Sequence, residues 1–300
     1  ITGNVMCNAS YMTLLALSLS RHGVVYKNII RNGSTGIELY DCYNVTVSRN
    51  NITYNNHGVE ARLLENVNFT SNIVGRNVWG FEIWDSENIT LANNKFINDL
   101  LTIYSGWYSV SLEDNTVNGL PIMMILNMSN ISMTDTDLGE LIIVDSVNVT
   151  YTNGSLGGIM MVNSNDVTLS YVYASRCDYG IYISTCQNIS MSLVDVDFAD
   201  DMGIYIESSN NVLISNSSIV RNNGDGIYIY DSGVKVIYSN IFSNKQLGIW
   251  SSFGDVNASL NYWGSPNGPA WTLFADAKDP EEVYSLSGTL ITGPYLTRMA

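Results

Sequence analysis

Gly36-Ile-Glu-Leu-Tyr-Asp41, Gly58-Val-Glu-Ala-Arg-Leu63 and Gly80-Phe-Glu-Ile-Trp-Asp85 are three versions of one phrase, set 22 residues apart. The phrase returns as Gly180-Ile-Tyr-Ile-Ser184, Gly203-Ile-Tyr-Ile-Glu207, Gly226-Ile-Tyr-Ile-Tyr230 and Gly248-Ile-Trp250, at steps of 22 or 23. Weaker copies start near Leu14, Leu100, Ile122, Glu140 and Gly158, giving about twelve units of 18 to 23 residues. A fixed period of this length marks a solenoid, in which each unit buries its apolar face only against its neighbours.

Inside a unit the apolar positions alternate. Ile37 and Leu39 fall in a first strand, Val45 and Val47 in a second and Ile52 in a third; Phe81/Ile83, Ile89/Leu91 and Phe96 repeat the pattern, as do Ile204/Ile206, Val212/Ile214 and Ile219. Period two means one buried face per strand. Strands this short must stack on their counterparts in neighbouring coils to pair their backbones. The expected fold is therefore all-β: a single-stranded parallel β-helix with three parallel sheets around an aliphatic interior. A glycine where each coil re-enters its first strand points to a positive φ there. Asn50, Asn72, Asn94, Asn115, Asn216 and Asn240 precede the third strand, where stacked amides can hydrogen-bond from coil to coil.

Composition agrees with a β-rich chain and excludes some functions. Only 14% of the 300 residues are charged, and the net charge is −15. Thirteen Lys and Arg spread along such a chain make no phosphate-binding surface, so nucleic acid is set aside. The longest apolar run, Tyr11 to Leu19, is shorter than the roughly 18 to 20 residues of a membrane span. It reads as a strand of the first coil rather than a signal-peptide core, and a chain starting at Ile1 reads as a processed or excised segment. Cys7, Cys42, Cys177 and Cys186 form no zinc-type pair. Cys177 and Cys186 flank one strand, too far apart to bridge, while nothing in the sequence supports or excludes a Cys7–Cys42 bridge.

The C-terminal segment departs from the period. Asn261-Tyr-Trp-Gly-Ser-Pro-Asn-Gly-Pro269 interrupts it, so residues 1–260 are expected to form the β-helix and 261–300 a cap and tail packed on the last coil. With this ending and Gly293-Pro-Tyr-Leu296, the repeats resemble the PbH1-type right-handed parallel β-helix repeat of NosD-like periplasmic and archaeal surface proteins. The resemblance spans nearly the whole chain. It implies the fold, and only loosely a function: copper-site maturation, carbohydrate binding or cleavage, or a surface role. It assigns no catalytic residue.

Stacking turns sequence period into columns about 4.8 Å apart. Two residues after the coil glycine come Glu38, Glu60 and Glu82, then in the second half Tyr182, Tyr205, Tyr228 and Trp250; Tyr40, Arg62 and Trp84 flank the glutamates. Three stacked carboxylates repel unless a cation intervenes. They are candidate acids of a glycosidase-like site, or Ca²⁺ ligands, with Tyr40 and Trp84 as sugar platforms. An exposed structural face with Arg62 as counter-ion is the alternative. The aromatic column is open to the same two readings, sugar binding or a stabilising ladder. Asp135/Asp137, Asp195/Asp197 and Asp200/Asp201 lie in turn-like stretches where Ca²⁺ binding competes with simple solvation. No metal site is expected otherwise.

Against an enzyme, the two histidines, His22 and His57, fall in expected turns, and no nucleophile–base pair or phosphate loop is recognisable. Met123, Met124, Met160 and Met161 sit in strands, where packing accounts for them better than copper binding. Location is read from thirteen Asn-X-Ser/Thr sequons, at Asn8, Asn32, Asn44, Asn51, Asn68, Asn88, Asn127, Asn130, Asn148, Asn153, Asn188, Asn216 and Asn257. The expectation is an extracellular glycosylated structural or adhesive surface module, without cofactor, whose partners are other surface subunits or glycans. A polysaccharide-binding or polysaccharide-cleaving protein acting at the glutamate column is the alternative.

Overall fold

The computed structural model describes residues 1–176, 178–271, 282–285 and 288–300. The fold is the expected parallel β-solenoid, with about eleven turns rather than twelve. Chain contacts divide it into two compact units, one of Ile1–Met124 with Leu138–Glu140 and one of Ile125–Asp137 with Leu141–Ala300.

In the first unit, the parallel strands form three stacks. His57–Arg62 lies between the ends of Ile29–Tyr40 and Trp79–Trp84, followed by Leu101–Ile103. Val24–Tyr26, Thr46–Ser48, Glu65–Thr70, Glu87–Ala92 and Val110–Glu113 make a five-stranded second sheet. Asn51–Thr53, Ile73–Gly75 and Lys95–Ile97 belong to the third. The apolar alternation points inward as read from the sequence. Ile37, Leu39, Val47, Ile52, Val59, Val74 and Ile83 are all fully buried. Each strand contributes only two or three such side chains, so burial stabilises the coils collectively. Phe69, Phe81 and Phe96 pack edge-to-face inside, with centroids 4.8 and 6.2 Å apart.

In the second unit, Ile181–Ser184, Ile204–Glu207, Ile227–Tyr230 and Ile249–Ser252 stack in parallel. Beside them run the strand series through Asn165–Ser175, Gln187–Asp197 and Asn210–Ser215. In the C-terminal segment, Glu282–Ser285 lies parallel to Ile249–Ser252 and Gly288–Ile291 parallel to Gly254–Asn257, while Trp263 is fully buried.

The coil glycines are there for a different reason than positive φ. Gly36, Gly203 and Gly226 have no positive φ. A Cβ on Gly36 would lie 2.6 Å from the carbonyl of Gly58, and one on Gly203 would lie 2.7 Å from that of Gly226. Close approach of successive coils excludes a side chain. Positive φ instead falls at the corners, on Asn44, Asn88, Asn130, Asp145, Asn188 and many other residues. Asn and Asp tolerate that conformation best of the residues with a Cβ.

An inner asparagine ladder runs through Asn28, Asn50, Asn72, Asn94 and Asn115. Each of the first four donates Nδ2 to the next carboxamide at 2.9–3.0 Å. Asn216 and Asn240 do not extend it. They stand one place to either side of the inward position, which Ser217 and Ser239 fill; the amide of Ser217 donates to Ser239 Oγ at 3.2 Å. Cys7, Cys42 and Cys186 are free thiols, so Cys7 and Cys42 are not bridged. Cys177 lies outside the described residues. Cys186 replaces serine in a hydrogen-bonded column between Ser164 and Ser209, and burial pushes its thiol up to about 11. Met160 and Met161 are buried, whereas Met123 is exposed.

Candidate functional site

The glutamate column forms as the repeat dictates. Glu38 is in register with Glu60 and Glu60 with Glu82, while Tyr40 faces Arg62 and Arg62 faces Trp84. It is not an exposed face. Glu82 is buried at 4% exposure, and Glu38 and Glu60 are partly covered. Each carboxylate takes a donor from the preceding coil, three residues before that coil's own column position. Thr13 Oγ1 donates to Glu38 at 3.1 Å, Thr35 Oγ1 to Glu60 at 3.0 Å, and in the third step the partner is His57, 2.7 Å from Glu82.

His57 thus belongs to the glutamate column, against the expectation of a turn. It opens the strand His57–Arg62 rather than sitting in a turn, directly in register between Thr35 and Trp79. The signal was present in the period, because His57 lies 22 residues after Thr35 and 22 before Trp79. The hydrogen bond to Glu82 raises its pKa above the ordinary imidazole value, partly opposed by burial. Tyr104 adds a hydroxyl 3.3 Å from the other Glu82 oxygen. Arg62 Nη2 lies 2.9 Å from Glu60, and its guanidinium covers the Trp84 ring at 4.2 Å. The other neighbour of Trp84 is Tyr104, stacked at 4.8 Å.

Two cations therefore face two carboxylates, and the cluster of His57, Arg62, Glu60 and Glu82 balances itself when His57 is protonated. Ligand atoms of His57, Glu60 and Glu82 lie within 4.8 Å of one another, the only such metal-capable group among the described residues. A divalent ion there would have to displace the His57 proton and compete with Arg62. Trp84 and Tyr40 differ as platforms: Trp84 is contacted by Arg62 and Tyr104, while Tyr40 is 45% exposed.

In the second unit the expected aromatic column is a continuous stack. Tyr182–Tyr205, Tyr205–Tyr228 and Tyr228–Trp250 lie 5.1, 5.0 and 4.2 Å apart and within 5° of parallel. Neighbouring rings cover the faces, and Tyr182 is itself buried. Glu207, two places beyond Tyr205, accepts hydrogen bonds from Tyr182 and Ser184 at 2.7 and 2.8 Å and from Tyr205 at 3.0 Å. Burial and the Glu207 charge push the Tyr205 hydroxyl strongly up. Of the acidic pairs, Asp197 is committed to Arg221 at 2.7 Å and to the Tyr173 hydroxyl at 2.7 Å. Asp135, Asp137 and Asp195 are exposed; burial raises the pKa values of Asp200 and Asp201, and burial with the neighbouring Asp197 charge raises that of Asp195.

Residues 1–96 and 101–262 match the family model for the right-handed β-helix region, so the chain belongs to the right-handed β-helix family. No curated protein matches it. The solved structures similar to it include the periplasmic alginate epimerase AlgG, at 11% identity and a TM-score of 0.32 over 90% of this chain and 71% of that one. The A-module of the mannuronan C-5 epimerase AlgE6 of Azotobacter vinelandii shares 13% identity at a TM-score of 0.33 over 97% and 81%. PfbA, a surface adhesin of Streptococcus pneumoniae, shares 10% at 0.31 over 93% and 86%. Among the described residues no helix is long and apolar enough to cross a membrane.

Proposed function

We propose that this chain is an extracellular, N-glycosylated β-helix module with a structural or adhesive role at a cell surface, of the NosD-like kind found on archaeal surfaces. The observation that carries the reading is the placement of the sequons. None of the thirteen asparagines is buried, and ten are exposed; Asn44, Asn51 and Asn257 are half-covered. Asn88, Asn130, Asn148 and Asn188 are exposed residues in the left-handed conformation; the amides of Asn148 and Asn188 donate to Asn130 and Asp166 of the preceding coil at 2.7 and 2.9 Å, a bond that the one N–H left on a glycosylated amide can still make. Surface exposure is what a bulky N-glycan needs of its acceptor. A catalytic glutamate column is disfavoured, because its carboxylates already hold structural donors and one is buried.

Peptide mass spectrometry of the protein from its native source tests this directly. Hexose- or hexosamine-bearing peptides at several of the exposed sequons are the expected result; all thirteen asparagines bare would overturn it.

A further inference from the structure

The faces of Tyr171 and Tyr173 are left open, unlike those of the stacked column. They are 64% and 42% exposed, and among the described residues neither ring is stacked on another as those of Tyr182 to Trp250 are. Two hollows adjoin them. One, of about 450 Å³, runs from Asp135 and Asp137 past Asn153, Gly154 and Ser155 to the two tyrosines. The other, of about 320 Å³, continues from the same tyrosines past Leu193 and Asp195 to Asn216. The register explains their continuity: Ser155 pairs with Tyr173, Tyr173 with Asp195 and Asp195 with Ser218, while the Ser155 amide donates to Asp137 at 2.9 Å. Five successive coil levels, at about 4.8 Å each, span about 19 Å.

We propose that this face is a binding groove for a linear glycan containing amino sugars. A long shallow run fits a polymer rather than a compact ligand. The open tyrosine faces suit the apolar C–H face of a pyranose, and a cation gains further from an aromatic face. The Asp195 carboxylate holds no hydrogen bond or ion pair among the described residues, and with Asp137 it offers a carboxylate to an ammonium group. The same charges repel a polyuronate. The proposal gives the adhesive reading above a site to grip with, and rests on that reading for its role. A glycan on Asn153 or Asn216 would cover the groove, so these two sequons are expected to be bare even where others are occupied.

The test is calorimetric titration of the full, unglycosylated chain with a hexamer of β-1,4-linked glucosamine, beside a hexamer of mannuronate. Saturable binding of the first and none of the second is expected, weakened about tenfold or more by Tyr171→Ala and by Asp195→Asn, and kept by Tyr171→Phe. Both positions are exposed, and an unchanged melting temperature verifies that the variants fold. No binding, binding indifferent to Tyr171→Ala, or a lysine peptide bound equally well would overturn the proposal, as would glycans on Asn153 or Asn216 of the native protein. Bare sequons everywhere count against the surface-glycoprotein reading alone, since the titration reads the groove itself.

Discussion

His57 Nδ1 lies 2.7 Å from a carboxylate oxygen of Glu82, joining two residues 25 apart in sequence across adjacent coils. Because the bond raises the folded pKa of His57, folding binds a proton more tightly than the unfolded chain does. The stabilisation is fully present below the ordinary imidazole pKa of 6.5 and is lost as the pH rises through the raised value. Denaturation midpoints of the wild type are expected to fall across that window, and those of His57→Gln to fall less. Parallel curves for the two proteins would contradict the linkage.

Glu140 supplies a second, opposite kind of buried carboxyl. It is fully buried, accepts a hydrogen bond from the Leu101 amide at 3.0 Å, and burial pushes its pKa up to about 8. The sign is the same as for His57: stability is complete below the ordinary carboxylate pKa and declines as the pH rises to about 8. Glu140→Gln keeps an acceptor for Leu101 and removes the charge. It is expected to melt higher than the wild type at pH 9 and to lose most of the difference at pH 5.

Asn72 and Asn216 separate the inner ladder from the outer corners. Asn72 donates to Asn94 and to the Val47 carbonyl and accepts from Asn50, all in the interior. Asn72→Ala strands several buried polar groups at about 1–3 kcal/mol each, so a loss of roughly 3–5 kcal/mol is expected in chemical denaturation. Asn216→Ala, on the surface, is expected to stay within about 0.5 kcal/mol.

Gly36→Ala tests the close approach of coils. The new methyl would meet both the Gly58 carbonyl and Ile52 Cγ2 at 2.6 Å, and overpacking of this kind costs roughly 1–3 kcal/mol. Because φ at Gly36 is not positive, the loss should track side-chain size, with Gly36→Ser at least as damaging in the same denaturation assay.

The columns were legible because a solenoid has one rule: equal offset in the repeat means adjacency in space. Glu38, Glu60 and Glu82 follow from it, as does the stack from Tyr182 to Trp250. His57 follows from it too: it opens a strand in register with Thr35 and Trp79, although the Asn55-Asn-His57 run before Gly58 is as polar as a turn. Asn216 and Asn240 were misassigned because a displacement of one residue moves a side chain from the interior to the surface. A nearby serine can then take the inward place without disturbing the period.

The sequence by itself determined the coil, its three strands, their inward aliphatic residues and the register of the Glu38–Glu82 and Tyr182–Trp250 columns, because parallel stacking converts period into contact. Only the tertiary structure decided which columns are covered. Whether Glu82 is buried under Tyr104, whether a tyrosine shows its face or stacks on the next, and why a glycine is needed at Gly36 all depend on distances between neighbouring coils and on the path of the corners. A repeat fixes which residues meet. How closely they meet, and what remains open to solvent, comes from the packing of the side chains around them.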